Sequence, residues 1–137
     1  MHGGGGEEAR VVTKLPGDAS AVPAARRFAG QAAADYGADP EAIDTTKLLV
    51  TEVATNAVLH AQSPIRLTVA PEPPDGVRIE VRDDDPTPPP LPCVPEPDAT
   101  SGRGLWLVSA LARRWGVNRN KNGKTVWFEV DGNRPPK

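Results

Sequence analysis

The chain has 137 residues and a formal net charge of −2, and this length fits one domain that can bury a core. The small net charge gives no general attraction to nucleic acid or to an anionic membrane, and no stretch approaches the ~20 apolar residues of a membrane span. Cys93 is the only cysteine, which excludes an internal disulfide and is typical of a reducing compartment. We therefore expect a cytoplasmic protein that contacts neither nucleic acid nor membrane directly.

The first elements follow a glycine-rich segment, residues 1–8, which we expect to be a flexible leader outside the fold. The stretch ARVVTKL predicts a short strand, and the alanine-rich stretch after it predicts a helix. Ser20 is the candidate N-cap of that helix, Pro23 falls in its first turn, and Gly37 supplies its stop.

A second predicted helix carries a row of polar residues. It begins at Asp39-Pro40-Glu41, with Asp as the cap and Pro at the first helical position, and it runs to about Ala61. Residues four apart lie on one stripe of a helix, so Glu52, Asn56 and His60 stand in a row. Leucines flank this row. It is either a solvated stripe with a few exposed leucines or the wall of a cavity, and the pattern alone leaves both interpretations open.

Residues 65–70 and 76–83 alternate apolar and polar side chains and predict two strands, joined as a hairpin by the stretch PEPPDG. In the second strand the inward positions lead to Asp83, the last residue on the core-facing side. A buried carboxylate is costly unless something donates hydrogen bonds to it. Either a backbone turn or the amino group of a ligand would satisfy Asp83.

A long irregular segment separates this hairpin from the last elements. Residues 84–101 contain seven prolines in 18 positions, which excludes a helix or a central strand and is typical of a functional lid or of disorder. The stretch SGRGL, residues 101–105, opens a helix predicted for 104–116; glycines at a helix start suit a phosphate, although this signal is weak by itself. After the turn NKNGK, residues 124–130 predict a final strand.

These features occur in an order that resembles a known superfamily. Glu-x-x-x-Asn on a helix, Asp at a strand end, a long loop and Gly-x-Gly-Leu opening a helix are similar to the GHKL ATP-binding fold, which includes DNA gyrase, the ninety-kilodalton heat-shock chaperones and histidine kinases. Within it the chain looks most like single-domain anti-sigma factors that are also serine-protein kinases. The resemblance covers roughly residues 10–130. It implies a two-layer α/β sandwich, with a mixed, mostly antiparallel sheet and three helices on one face.

The resemblance also implies the domain limits and the cofactors. The ATP-binding domain would span residues 9–131, with residues 84–101 as the ATP lid and residues 132–137 as a flexible tail. The cofactors would be ATP and Mg²⁺, which prefers oxygen ligands. Glu52 would orient or deprotonate the attacking hydroxyl, Asn56 would hold Mg²⁺, and Asp83 would accept the adenine amino group. The turn that meets the phosphates would consist of Gly102, Arg103, Gly104 and Leu105. For His60 we favour a packed position at the helix end.

The function that the resemblance implies is an ATP- and Mg²⁺-dependent anti-sigma factor. It would bind a sigma factor and phosphorylate a serine or threonine of an antagonist protein, and the resemblance allows a homodimer. The alternative is an ATP-binding regulatory module with little or no kinase activity. A histidine kinase or a gyrase-type ATPase would need dimerisation helices or a transducer domain, for which we expect no room in this chain.

Two departures from the family pattern affect the expected site. The first glycine box of the family reads Asp-x-Gly-x-Gly, but here Asp83 is followed by Asp84-Asp85-Pro86-Thr87, without either glycine. In the last strand the family places a threonine directly after a glycine, where it faces the adenine. Here Lys124 occupies that threonine position, and alternation puts Thr125 on the face opposite Val126. Whether Lys124 or Thr125 contacts the nucleotide is therefore left open.

Overall fold

The computed structural model describes residues 9–87 and 104–132 of the chain. In chain order its elements are β1 (Val11–Leu15), α1 (Ala21–Asp35), α2 (Pro40–His60), β2 (Ile65–Glu72), β3 (Gly76–Asp83), α3 (Gly104–Leu111), β4 (Arg114–Asn120) and β5 (Gly123–Asp131). Of these described elements, only β4 was absent from the sequence-based prediction.

The described strands form one sheet in the order β1-β2-β3-β5-β4, and all four of its pairings are antiparallel. The three helices of the described residues pack on one face of it, where Leu67, Ile79 and Phe128 are completely buried. Burying one such side chain stabilises the fold by about 1.5–3 kcal/mol. The predicted two-layer α/β sandwich is confirmed; the sheet, predicted as mixed and mostly antiparallel, has only antiparallel pairs among the described strands.

Local signals fix the start of α2 as predicted. The side chain of Asp39 accepts a hydrogen bond from the backbone N–H of Ala42 at 2.8 Å, and Pro40 occupies the first turn. At the start of α1, Ser20 occupies the N-cap position but its side chain makes no capping bond; Asp18 Oδ1 instead accepts from the Ser20 N–H at 2.9 Å. Gly37, with φ of +88°, lies just past the end of α1, where a stop was expected.

The leucines of α2 do not all flank the polar row. Leu49 is completely buried in the core, whereas Leu48 is 39% exposed and Leu59 is 55% exposed. The buried arc of α2 therefore includes Leu49, although its sequence position suggested a place beside the polar row. The neighbouring hairpin has the predicted alternation, since Val81 and Asp83 on β3 are buried and the intervening Arg82 is half-buried.

The helix predicted for residues 104–116 is too long, and this prediction is wrong over its last turn. Helix α3 ends at Leu111, and the chain enters β4 at Arg114. Trp115 lies opposite Phe128 on β5, and Arg114 lies opposite Glu129. Backbone pairing with β5 satisfies the polar groups of this segment, and that partner lies too far along the chain to be visible in a local helical pattern.

The predicted limits of the domain can be compared with the structure only in part. Gly132 was assigned to the flexible tail, but its N–H donates to the Asp75 carbonyl at 2.8 Å and its carbonyl accepts from the Asp39 N–H at 2.8 Å. The leader, residues 1–8, and the rest of the tail lie outside the described residues, as does the proposed lid beyond residue 87. In the described ranges, no helix has the length and apolar content needed to cross a membrane.

Candidate nucleotide site

A cavity of about 260 Å³ lies between α2, the start of α3 and the ends of β3 and β5. Helix α2 contributes Asn56 and His60 to its lining, β3 contributes Asp83, β5 contributes Lys124, and α3 contributes Leu105. The elements that carry the predicted motif residues therefore converge on one space. The polar row of α2 lines this cavity in part, and this supports the cavity interpretation over a purely solvated stripe.

The walls of the cavity are apolar. Val53 and Ala57 face it from α2, Val81 and Val126 face it from the sheet, and Leu105 closes it from α3. All five side chains are nearly buried, with exposures between 2% and 6%. Apolar walls with a few convergent polar groups are typical of sites for small organic ligands, and a planar ring fits between such surfaces.

One polar end of the cavity is a buried ion pair. Asp83 is 2% exposed and Lys124 is 5% exposed. The Lys124 Nζ lies 3.1 Å from Asp83 Oδ1 and 3.1 Å from Asp83 Oδ2. The backbone N–H of Asp85 also donates to Asp83 Oδ1, at 2.9 Å. The expected inward carboxylate is present, and its hydrogen bonds come from a turn and from a lysine.

Asp85 adds a second carboxylate to the lining. Its Oδ1 accepts a hydrogen bond from the Thr87 N–H at 2.9 Å. This bond, together with smaller contributions from the charges of Lys124 and His60, holds the pKa of Asp85 below its usual range. Because Asp85 stands where the family pattern has a glycine-rich turn, the site carries a negative charge that the resemblance did not predict.

The three residues of the polar row have different surroundings. Asn56 is half-buried and lines the cavity. His60 is exposed and lines the cavity mouth, so the expectation of a packed helix-end histidine is wrong. Glu52 is half-buried one turn before Asn56 and lies outside the cavity lining given by the described residues. The stripe thus runs from a position beside the cavity to its rim.

The possible metal site depends on Asn56. The described ranges contain no group of three or more His, Cys, Asp or Glu side chains that could hold a metal ion. Mg²⁺ keeps several waters and commonly binds through one or two protein oxygens together with the phosphates of a substrate. The amide oxygen of Asn56 fits that mode of binding.

The predicted phosphate turn is only partly described. Gly104 is the first residue of α3, and Leu105 is buried against the cavity. Gly102 and Arg103 lie outside the described residues. The main residue that sequence reasoning left unassigned is Lys124. It shares the strand parity of Val126 and Phe128, so the alternation along β5 already indicated a core-facing lysine.

Comparisons with known proteins identify the family. The family model of the histidine kinase-like ATPase domain matches residues 15–130, and the chain belongs to that family. It is 38% identical over 93 residues to SCO4941, an uncharacterized protein of Streptomyces coelicolor, a match that covers 63% of this chain and 85% of that protein.

The fold is also shared with a solved structure. The crystal structure of the RsbU and RsbW domains of Rv1364c from Mycobacterium tuberculosis matches with a TM-score of 0.70 and 22% identity. The match covers 92% of this chain and 33% of that chain, so the protein spans about a third of the length of that neighbour. At this identity the likeness shows the fold.

Proposed function

We propose that the protein is an ATP- and Mg²⁺-dependent anti-sigma factor that phosphorylates a serine or threonine of an antagonist protein. Its partners would be a sigma factor and that antagonist. Support comes from the family, from the fold shared with an RsbW-containing chain and from the order of the sequence motifs. Bound ATP supplies an activated phosphoryl group, while the protein holds the nucleotide and orients the accepting hydroxyl.

The observation that carries this proposal is the convergence of Asn56 and Asp83 on one apolar-walled cavity. Asn56 offers an amide oxygen of the kind that Mg²⁺ accepts, and Asp83 offers a carboxylate at the inner end. Glu52, one turn before Asn56 on α2, is the proposed group that orients or deprotonates the hydroxyl. Gly104 and Leu105, at the start of α3, are the described part of the proposed phosphate turn, which also includes Gly102 and Arg103.

A second candidate function is an ATP-binding regulatory module with little or no phosphoryl transfer. The observation that favours it is the chemistry after β3, where Asp84-Asp85-Pro86 replaces a glycine-rich turn. Negative charge at the nucleotide cavity opposes the binding of an anionic triphosphate by like-charge repulsion.

Calorimetric titration with ATP, with and without Mg²⁺, tests the nucleotide binding that both candidates require. A second measurement mixes the protein with labelled ATP, a sigma factor and candidate antagonists. The kinase proposal expects Mg²⁺-dependent binding and transfer of label to an antagonist hydroxyl. Binding of ATP and of a sigma factor without transfer to any antagonist would favour the regulatory module. If ATP does not bind in either condition, both candidates are wrong.

A further inference from the structure

The cavity differs from the family pattern in containing the ammonium group of Lys124. The side chain of Lys124 is 6% exposed and runs inward from β5 to the carboxylate of Asp83. The Nζ lies 3.1 Å from both carboxylate oxygens and donates to the carbonyl oxygen of Asp85 at 3.0 Å. Among the described residues, the partners of this lysine come from the end of β3 and the turn that follows it.

The same contacts engage both carboxylate oxygens of Asp83. Its Oδ1 accepts from Lys124 and from the Asp85 N–H at 2.9 Å, while its Oδ2 also faces the ammonium. Hydrogen bonds with an ionised donor or acceptor are roughly twice as strong as those between neutral groups, and in the Lys124–Asp83 contact both groups are ionised. A neutral amino group on a ligand is a weaker donor than an ammonium, and it would not displace Lys124 from this carboxylate.

We propose that Lys124 is a specificity-determining residue whose ammonium occupies the acceptor position of Asp83, so that the 6-amino group of a purine contributes little to nucleotide binding. This inference rests on the proposed function, because it takes Asp83 as the base-facing end of the nucleotide site. Binding energy then comes from the apolar walls and from the phosphates. The protein discriminates poorly between purines that differ at position 6.

The test compares ATP with purine riboside triphosphate, which lacks only the 6-amino group. Calorimetry in the presence of Mg²⁺ gives both affinities for the parent protein, for Lys124→Met and for Lys121→Met. Methionine has about the length of lysine and no donor, so Lys124→Met removes the ammonium and keeps most of the packing. Lys121 is an exposed residue of the β4–β5 turn, and its substitution is the matched control.

We expect the parent and Lys121→Met to bind the two nucleotides within about threefold of each other. We expect Lys124→Met to prefer ATP over the analogue by about tenfold, since Asp83 is then free to accept the amino group and the two nucleotides carry the same charge. The variant removes the counter-ion of a buried carboxylate, so its thermal unfolding is recorded alongside. The measurement on the parent needs no variant and stands even if Lys124→Met does not fold.

Three outcomes would overturn the inference. A parent that prefers ATP by tenfold or more would show that the amino group already reaches an acceptor. A folded Lys124→Met variant that binds both nucleotides with no new preference for ATP would show that the ammonium does not compete, while nucleotide binding itself would stand. If no protein binds either nucleotide, the proposed function fails together with the inference.

Discussion

Arg114 donates two hydrogen bonds to Glu129 across the β4–β5 pair, from Nε to Oε1 at 2.9 Å and from Nη2 to Oε2 at 3.0 Å. Arg78, on the opposite neighbouring strand β3, donates from Nη1 to Oε2 at 2.9 Å. Glu129 is 1% exposed although it lies on the sheet face opposite the helices. One carboxylate thus links three adjacent strands, and it ties the edge strand β4 to the rest of the sheet.

Replacing Glu129 by glutamine should therefore destabilise the protein. The change keeps the shape of the side chain but removes the charge that Arg78, Arg114 and, at 3.9 Å, Arg113 face. Charged hydrogen bonds contribute about 1.5–3 kcal/mol each. We expect Glu129→Gln to lower the free energy of unfolding by about 1–3 kcal/mol, measured by urea denaturation. Glu80→Gln is the control, because Glu80 is 38% exposed and accepts from Arg78 at 2.9 Å. Its effect should stay below about 1 kcal/mol; equal losses in both variants would contradict the role of Glu129.

The Glu129 carboxylate should also make the free energy of unfolding depend on pH. Burial raises the pKa of Glu129, but the hydrogen bonds and charges of Arg114 and Arg78 outweigh burial and bring the pKa below its ordinary value of 4.5. The unfolded chain then binds the proton more tightly than the folded one, so this stabilisation is present above pH 4.5 and is lost as pH falls through the lower folded pKa. Hydrogen bonds from Ser20 to Asp18 and from Thr87 to Asp85 also lower the pKa of those carboxylates and act in the same direction.

Urea denaturation at a series of pH values checks this dependence. The free energy of unfolding of the parent should fall as pH decreases below about 4.5, and the fall should be shallower in Glu129→Gln. Parallel curves for the two proteins would show that Glu129 does not titrate in this range.

The fold should require a glycine at position 123, the first residue of β5. A Cβ at this position would lie 2.2 Å from the Asp83 carbonyl oxygen and 3.1 Å from the Asp84 Cα, so the backbone beside the cavity would have to move. We expect Gly123→Ala to destabilise the fold by about 1–3 kcal/mol and to weaken nucleotide binding, because the displaced backbone adjoins the cavity lining. Gly37→Ala is the matched control, since a Cβ there meets nothing within 4 Å and only the φ of +88° is unfavourable.

Both glycine variants can be compared by chemical denaturation and by calorimetric titration with ATP. The control should lose about 1 kcal/mol of stability without a change in nucleotide affinity. If Gly123→Ala bound ATP as the parent does, the backbone beside Gly123 would not shape the nucleotide cavity.

If the protein is a kinase, substitutions of Glu52 and of Asn56 should have different effects. Asn56→Ala removes the proposed Mg²⁺ ligand, and we expect the Mg²⁺-dependent part of ATP binding to be lost. Glu52→Ala should keep ATP binding, because a carboxylate does not attract phosphates, but should lower phosphoryl transfer by about 10²–10⁴-fold. Calorimetry and transfer from labelled ATP separate the two effects. Equal loss of binding in both variants would contradict the separate roles.

The elements that the sequence determined by itself are those with local causes. The start of α2 depends on Asp39 and on a proline next to it, and both signals act within four residues of the helix end. The alternation of side chains predicts the hairpin of β2 and β3, and it also predicts that Asp83 faces the core. The order of the motifs along the chain predicted that Asn56 and Asp83 share one site, and both residues line the same cavity.

Only the tertiary structure decided the features that depend on distant partners. The segment around Arg114 follows a helical pattern, but it forms β4 because β5 offers backbone pairing and a buried carboxylate on Glu129. Lys124 and Asp83 are 41 residues apart, and their contact exists because β3 and β5 pair in a register that places them opposite each other. An ion pair of this kind depends on strand register and on burial, both of which are properties of the folded chain.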